Sequence, residues 1–285
     1  MILVVGDVVD DIGVRPLGTV NPASDTVSEI RMTAGGSAAN VAAWLGHLGA
    51  DVRFVGRCGA DGVERHAAAL EAYGVDARIS GDPDLPTATI VLTLDEAADR
   101  TMYVDRAANT TLTAADIPDD VWDDVTWLHL TGYSFFDDGV RPVVLDLIGE
   151  AKRRTIGVSI DPSSLGFLEA AGRETVLDWL AGADLVFPNE DEQGYLALDG
   201  DRVVLTRGAA GATFRGEEIA AHPAEVVDTT GAGDAFCAGF LAVWTSTGDP
   251  ESALLAGVRS AASCVVARGA RPVTAGRGGG LPASP

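Results

Sequence analysis

The chain has 285 residues, 20 Lys+Arg against 42 Asp+Glu, a formal net charge of −22 and 47% hydrophobic residues, enough apolar material for one large or two small packed domains. So acidic a chain is excluded as a general nucleic-acid binder, which needs basic charge to neutralise phosphates. Its single lysine, Lys152 in Ala151-Lys152-Arg153-Arg154, excludes a Walker A loop, so any phosphate must be held by backbone N–H groups, a metal ion or arginine.

Met1 leads straight into Ile2–Val5, an apolar run ending at Gly6 that reads as a buried strand with no charged leader before it. Thr26–Met32 alternates polar and apolar residues, the period of a half-exposed strand. Ala38–Leu48 reads as a helix stopped by Gly49, Val52–Val55 as the next strand, and Asp61–Tyr73 as a helix stopped by Gly74. Thr87–Val104 alternates again, with no helix between its halves, and is predicted as antiparallel strands. Further strands are expected at Trp127–Leu130, Ile156–Ile160, Leu185–Phe187 and Val203–Thr206. Helices are expected near Arg141–Arg154, Arg173–Leu180 and Asn189–Leu198, then two Ala-rich ones at about 233–246 and 250–267. Strands alternating with helices predict right-handed crossovers and a mostly parallel sheet covered on both faces, a three-layer α/β/α fold. The two alternating stretches would add a small β-strand lid over a site at the sheet edge. Val273–Pro285, with four Gly and two Pro, reads as a flexible tail.

Cys58, Cys237 and Cys264 are odd in number and lack paired spacing, which fits a reducing compartment and offers no zinc site. No apolar run is long enough to span a bilayer. The expectation is a cytoplasmic, soluble protein without a membrane or nucleic-acid partner.

The strongest local signal is Asp228-Thr229-Thr230-Gly231-Ala232-Gly233-Asp234, followed at once by an Ala-rich helix. Small residues let the backbone turn tightly, and N–H groups at a helix N-terminus favour an anion. Asp234, at the rim of that turn, is placed to accept a proton from an attacking hydroxyl. The rival Rossmann reading fails because Phe236 stands where the third glycine belongs. A second Gly-rich turn, Ala34-Gly35-Gly36-Ser37-Ala38-Ala39-Asn40, also leads into a helix. Asp7, Asp10 and Asp11 follow the first strand, where ligands of open α/β sheets sit, and an aspartate there can hold vicinal hydroxyls.

Together these elements resemble a family. Gly35–Ala42 with Gly49 and Gly59 resembles the N-terminal signature of the PfkB (ribokinase-like) sugar kinases, and Asp228–Leu241 resembles its C-terminal one. The resemblance implies a ribokinase-like kinase domain over 1–272, with lid strands inserted at about 12–34 and 86–108 and the tail at 273–285. It implies that Asp234 is the catalytic base and that Gly231, Ala232 and Gly233 form the anion hole. Asp11, Gly35, Gly36 and Asn40 would hold the substrate, with Arg106 at the lid end. Asn189, Thr206, Gly208 and Gly211 would contact the nucleotide, and Glu192 with Asn189 would place Mg2+, directly or through water. Asp228, Thr230 and the turn near Gly269 would lie beside a monovalent cation such as K+.

The implied activity is ATP-dependent phosphorylation of a primary hydroxyl on a small sugar. A nucleoside of adenosine or pseudouridine type is the alternative, with Tyr103, Tyr133 and Phe135 as candidates for a base slot. A non-catalytic sugar or nucleotide sensor is the second alternative. Arg100, Arg106 and Arg207 are candidates for transition-state charge, and the lid strands for a homodimer contact. Asp161-Pro162-Ser163-Ser164 departs from the family's usual Asp-x-Asn-x-Arg run, which leaves the substrate open.

Overall fold

Ile2–Val5 forms β1, and Leu3, Val4 and Val5 expose no surface, as befits a strand covered on both faces. The computed structural model of the protein describes residues 1–94 and 100–273. After β1 come β2 (Val9–Pro16), β3 (Ser28–Gly35), α1 (Ser37–His47), β4 (Val52–Gly59) and α2 (Val63–Glu71). Then follow β5 (Asp76–Asp82), β6 (Ala88–Leu94), β7 (Arg100–Asp105), β8 (Trp127–Thr131) and α3 (Arg141–Arg153). The next elements are β9 (Gly157–Asp161), α4 (Leu165–Ala171), α5 (Arg173–Trp179), β10 (Leu185–Val186) and α6 (Glu190–Leu196). The chain closes with β11 (Leu205–Thr206), β12 (Ala212–Phe214), β13 (Glu217–Ile219), α7 (Ala232–Thr247) and α8 (Pro250–Val265).

Six strands, in the order β10-β9-β8-β1-β4-β5, form one sheet in which every pair is parallel. The period of two along β1 makes the layers. Ile2 and Val4 join a core with α1, α7 and α8, while Leu3 and Val5 join a second core with α3, α4 and α5 on the opposite face. This is the expected three-layer α/β/α arrangement. Parallel bridges Val186↔Val203 and Asn189↔Thr206 lead from the β10 edge toward a small antiparallel sheet, β11-β12-β13. No helix among the described residues is long and apolar enough to cross a membrane.

A separate four-stranded sheet, β3-β2-β6-β7, rises beside the C-terminal ends of the parallel strands. Thr26–Met32 shifts to Ser28–Gly35, and Thr87–Val104 resolves into β6 and β7. The residues between those two strands, and 274–285 of the expected tail, lie outside the described residues. β2 was not among the expected strands. Its two acids, glycine and proline hide the alternation, and it is stabilised by pairing with β3 on one side and β6 on the other. β5, the edge strand beside β4, was missed for the same reason: Asp76-Ala-Arg-Ile-Ser-Gly-Asp has little apolar content of its own.

Candidate active site

The lid sheet and the C-terminal ends of the parallel strands enclose a cleft of about 940 Å³. It collects Asp11, Gly36, Asn40, Arg106, Asn189, Glu192, Thr206, Asp228 and Thr230 with the whole Gly231–Asp234 turn. Gly208 and Gly211 stand outside its lining. Gly211 (φ +97°) packs against the end of β13, where a Cβ would lie 2.0 Å from the Ile219 carbonyl oxygen. Arg207 is likewise outside the lining and pairs with Glu218. The side chain of Arg100 lies outside the described residues. Of the aromatic candidates, Tyr133 lines the cleft, Phe135 is core, and Tyr103 is 61% exposed outside the lining.

The floor is the N-terminus of α7. Gly231 takes a left-handed conformation (φ +76°) that turns the chain into the helix, and no side chain caps the first turn. A Cβ on Gly231 would come within 2.6 Å of the Ala270 Cα, so the position admits only glycine without movement. The Ala232 N–H donates to the Thr229 carbonyl at 3.3 Å, but no side chain caps the Gly233 and Asp234 N–H groups that follow on the cleft wall, an arrangement at the start of a 16-residue helix that attracts an anion.

Asp234 sits in that turn, and α1 reaches across to hold it. The Ser37 hydroxyl donates to its Oδ1 at 2.7 Å and the Asn40 amide nitrogen to its Oδ2 at 2.9 Å. Burial pushes the Asp234 carboxyl up to about 7; these two hydrogen bonds pull it down, and the nearby charges of Asp7 and Asp11 push it up. A carboxylate tuned near neutrality can take a proton from a hydroxyl and release it again. Ser37 lies inside the Gly-rich motif, and the one signal it carries in the sequence is a hydroxyl at the first position of α1, next to the apolar Ala38 and Ala39.

Asp7 has a structural duty: it accepts from the Ser37 and Ala38 N–H groups at 2.8 and 3.0 Å and from Thr131 Oγ1 at 3.2 Å, so it anchors α1 to β1 and β8. Asp10 is outside the cleft lining, bonded to Arg65 at 2.5 and 2.8 Å. Asp11 faces the cleft from β2, and burial with the neighbouring Asp7 raises it to about 6. Gly35 lies directly behind it, where a Cβ would be 2.0 Å from the Asp11 Oδ2. Arg106, at the end of β7, lines the same cleft and makes no ion pair with a described residue.

On the opposite wall Asn189 and Glu192 cap each other. The Glu192 N–H donates to Asn189 Oδ1 at 2.9 Å, and the Asn189 N–H donates to Glu192 Oε2 at 3.0 Å, a reciprocal box that starts α6. Asp161, at the end of β9, also lines the cleft and was missing from the expected site residues. Burial and the mutual repulsion of Asp161 and Glu192 push the Asp161 carboxyl well up, and burial raises Glu192. Two desolvated carboxylates that repel each other suit a hard divalent cation bound by one or two protein oxygens, with phosphate and water completing its shell. Among the described residues no group of three or more His, Cys, Asp and Glu is disposed to hold a metal alone.

Asp228 is committed to its own turn: the Thr230 N–H and hydroxyl donate to Oδ1 at 3.0 and 2.7 Å, and the Gly269 N–H donates to Oδ2 at 3.1 Å. These bonds tie the segment entering α7 to the loop leaving α8.

The model of the pfkB family carbohydrate kinases matches residues 1–275. The chain is 32% identical over 245 residues to a fructokinase of Klebsiella pneumoniae, covering 76% of this chain and 79% of the relative. It is also 32% identical over 247 residues to an ATP-dependent ribose-1-phosphate kinase of Halopiger xanaduensis, covering 79% and 77%. Among solved structures it resembles a ribokinase II from E. coli in complex with ATP and Mg2+, with a TM-score of 0.82 and 23% identity over 94% of both chains. The chain belongs to the pfkB family of carbohydrate kinases and is a phosphotransferase with an alcohol group as acceptor.

Proposed function

We propose that the protein transfers the γ-phosphoryl group of ATP to a primary hydroxyl of a small sugar, with Asp234 as the base. One observation carries the reading. Asp234 lies in the first turn of α7, beside its uncapped N–H groups, and is held by Ser37 and Asn40 across a cleft that also contains Asp11. Gly35 stands outside the cleft lining, and a hydroxyl held by Asp11, Gly36 and Asn40 would meet the base at the point where Gly231, Ala232 and Gly233 stabilise the phosphoryl group in flight. Asp234 would take the hydroxyl proton as the new O–P bond forms, and the lid sheet would keep water away. Asn189 and Thr206 would support the nucleotide.

Glu192, Asp161 and, through water, Asn189 would hold Mg2+, whose chemistry is to neutralise phosphate charge. That neutralisation is needed, because the cleft wall already carries Asp7, Asp11, Asp161, Glu192, Asp228 and Asp234. The ATP and Mg2+ in the E. coli structure support this assignment. A monovalent cation beside Asp228 and Thr230 is part of the same proposal, and replacing K+ by tetramethylammonium tests it through the rate.

Ile90, Leu92, Met102 and Val104 of the lid line the cleft as an apolar strip beside Asp11. That strip favours, as a second reading, a nucleoside whose base packs against it. Apolar residues outside the cleft lining, among them Ile30 (65% exposed) and Met32 (63%), are the surface through which the lids of two copies would pair. ADP release over a panel of ketoses, pentoses, phosphorylated sugars and nucleosides tests the activity and ranks the substrates. Release with none of them would leave the sensor reading instead.

A further inference from the structure

The loop that leaves α8 carries Arg271 to the back of the Gly35–Asn40 turn. Its Nε donates to Asn40 Oδ1 at 3.2 Å and one terminal nitrogen donates to the Gly35 carbonyl at 3.1 Å. The other terminal nitrogen, Nη1, is buried with no partner among the described residues. Asn40 is itself buried, 5% exposed, and its amide nitrogen is the one that donates to Asp234. The carboxamide thus sits between a guanidinium and a carboxylate, its oxygen toward the cation and its nitrogen toward the anion. The reverse orientation would oppose like partners at both ends, so the guanidinium selects the productive one.

The loop is held firmly enough to do this. The Trp44 indole N–H donates to the Ala270 carbonyl and the Tyr73 hydroxyl to the Pro272 carbonyl, both at 2.8 Å. No carboxylate among the described residues lies within ion-pair distance of Arg271, although the charges of Asp7, Asp11 and Asp234 all reach it. A half-buried cation with no direct counter-ion, whose buried Nη1 has no partner among the described residues, is a poor device for stability. Its position is explained by what it does to Asn40.

We propose that Arg271 is a positioning residue, which fixes the Asn40 carboxamide and thereby the direction in which Asp234 presents its carboxylate to the substrate hydroxyl. It touches neither substrate nor nucleotide; its action runs through Asn40. The kinetic consequence rests on the kinase reading of Asp234, but the link from Arg271 to Asn40 does not.

Two measurements separate these. In the first, the Asn40 side-chain amide pair is identified by NMR from its loss in Asn40→Ser, with no ligand present. In Arg271→Met that pair should shift and exchange with solvent at least tenfold faster, and Arg271→Lys should restore it partly. An unchanged pair in a folded Arg271→Met protein overturns the proposal. In the second, kcat of Arg271→Met should fall ten- to hundredfold with KM for ATP within twofold, and Arg271→Lys should recover part of kcat. In an Asn40→Ala background the same change should cost less than twofold, because its route to the base is already cut. An unchanged kcat, or losses that multiply in the double variant, overturns it. Should Arg271→Met fail to fold, Arg271→Lys carries the same tests with smaller expected changes, since a single nitrogen replaces the two that bond Asn40 and the Gly35 carbonyl; an unchanged amide pair in it overturns the proposal. A wild-type protein inactive on every acceptor would defeat the kinase reading and leave the NMR result to judge the Arg271–Asn40 link.

Discussion

The Ser37 hydroxyl donates to Asp234 Oδ1 at 2.7 Å, although the two residues stand 197 positions apart. The contact joins the N-termini of α1 and α7, each entered through a glycine with positive φ, Gly36 at +98° and Gly231 at +76°. Two glycine turns that look like independent motifs in the chain are therefore joined, with the second carrying Asp234, the proposed base, and the first holding its carboxylate.

Because Asp234 must be ionised to accept a proton, kcat/KM should rise with pH through about 7, the value to which burial pushes it. The Ser37 hydrogen bond favours the ionised form, so Ser37→Ala should move this limb upward by roughly half to one pH unit. A pH–rate profile of both proteins checks the direction; a downward movement would show that the hydroxyl serves the protonated acid.

The same carboxylate should strain the fold above neutrality. Asp234 has an ordinary value of 3.8 unfolded and about 7 folded, so between these the folded state holds the extra proton and stability falls as pH rises. Asp234→Asn removes the charge, and at pH 8 it should be more stable than the wild type by about 1–3 kcal/mol, an advantage that shrinks toward pH 5. Urea unfolding at the two pH values measures it. His66 and His129, lowered by burial to about 4 and 3, act with the opposite sign in both proteins and cancel in the comparison.

Gly231 and Gly233 should answer differently to the same substitution. Gly231→Ala forces a Cβ onto Ala270 at a positive φ and should cost about 2–4 kcal/mol. A Cβ on Gly233 meets nothing within 4 Å and sits in a helical turn, so Gly233→Ala should keep or slightly raise the melting temperature. It should nevertheless raise KM for ATP or lower kcat at least tenfold, because the methyl enters the space assigned to the phosphoryl group. Calorimetry with steady-state kinetics distinguishes the two.

Glu192→Gln preserves an acceptor for the Asn189 N–H and so preserves the start of α6. The loss of charge should raise the Mg2+ concentration needed for half-maximal rate about tenfold, with little change in melting temperature. An unchanged Mg2+ requirement would remove Glu192 from the metal site.

Much of the frame could be read in the sequence, because its strands and helices carry their own periodicity: Ile2–Val5, Ala38–Leu48 and the two Ala-rich helices lie within a residue or two of expectation. β2 and β5 could not, since their extended form comes from neighbours rather than from residues such as Asp10-Asp11 or Ser80-Gly81-Asp82. The glycine turns and Asp234 were legible because small residues before a helix leave a local mark. Asp161 and Arg271 were not, because their importance comes from what the fold brings near them: Glu192 in the first case, Asn40 in the second. The acidity of the chain was also informative. A cleft lined by so many carboxylates, without a lysine, leaves phosphate to a helix N-terminus, a divalent cation or an arginine of the lining such as Arg106.

The most direct test of the account is turnover by Asp234→Asn, measured as ADP release with the best acceptor found in the panel. The substitution keeps size, and its oxygen can still accept from Asn40 while its new amide nitrogen donates to the Ser37 hydroxyl, which can reverse its role; it cannot accept a proton, so the protein should fold and bind ATP within about threefold of wild type. Its kcat should fall at least about a thousandfold, within the range associated with loss of a general base. A folded Asp234→Asn protein that retained more than a tenth of wild-type kcat would contradict the assignment of Asp234 as the base.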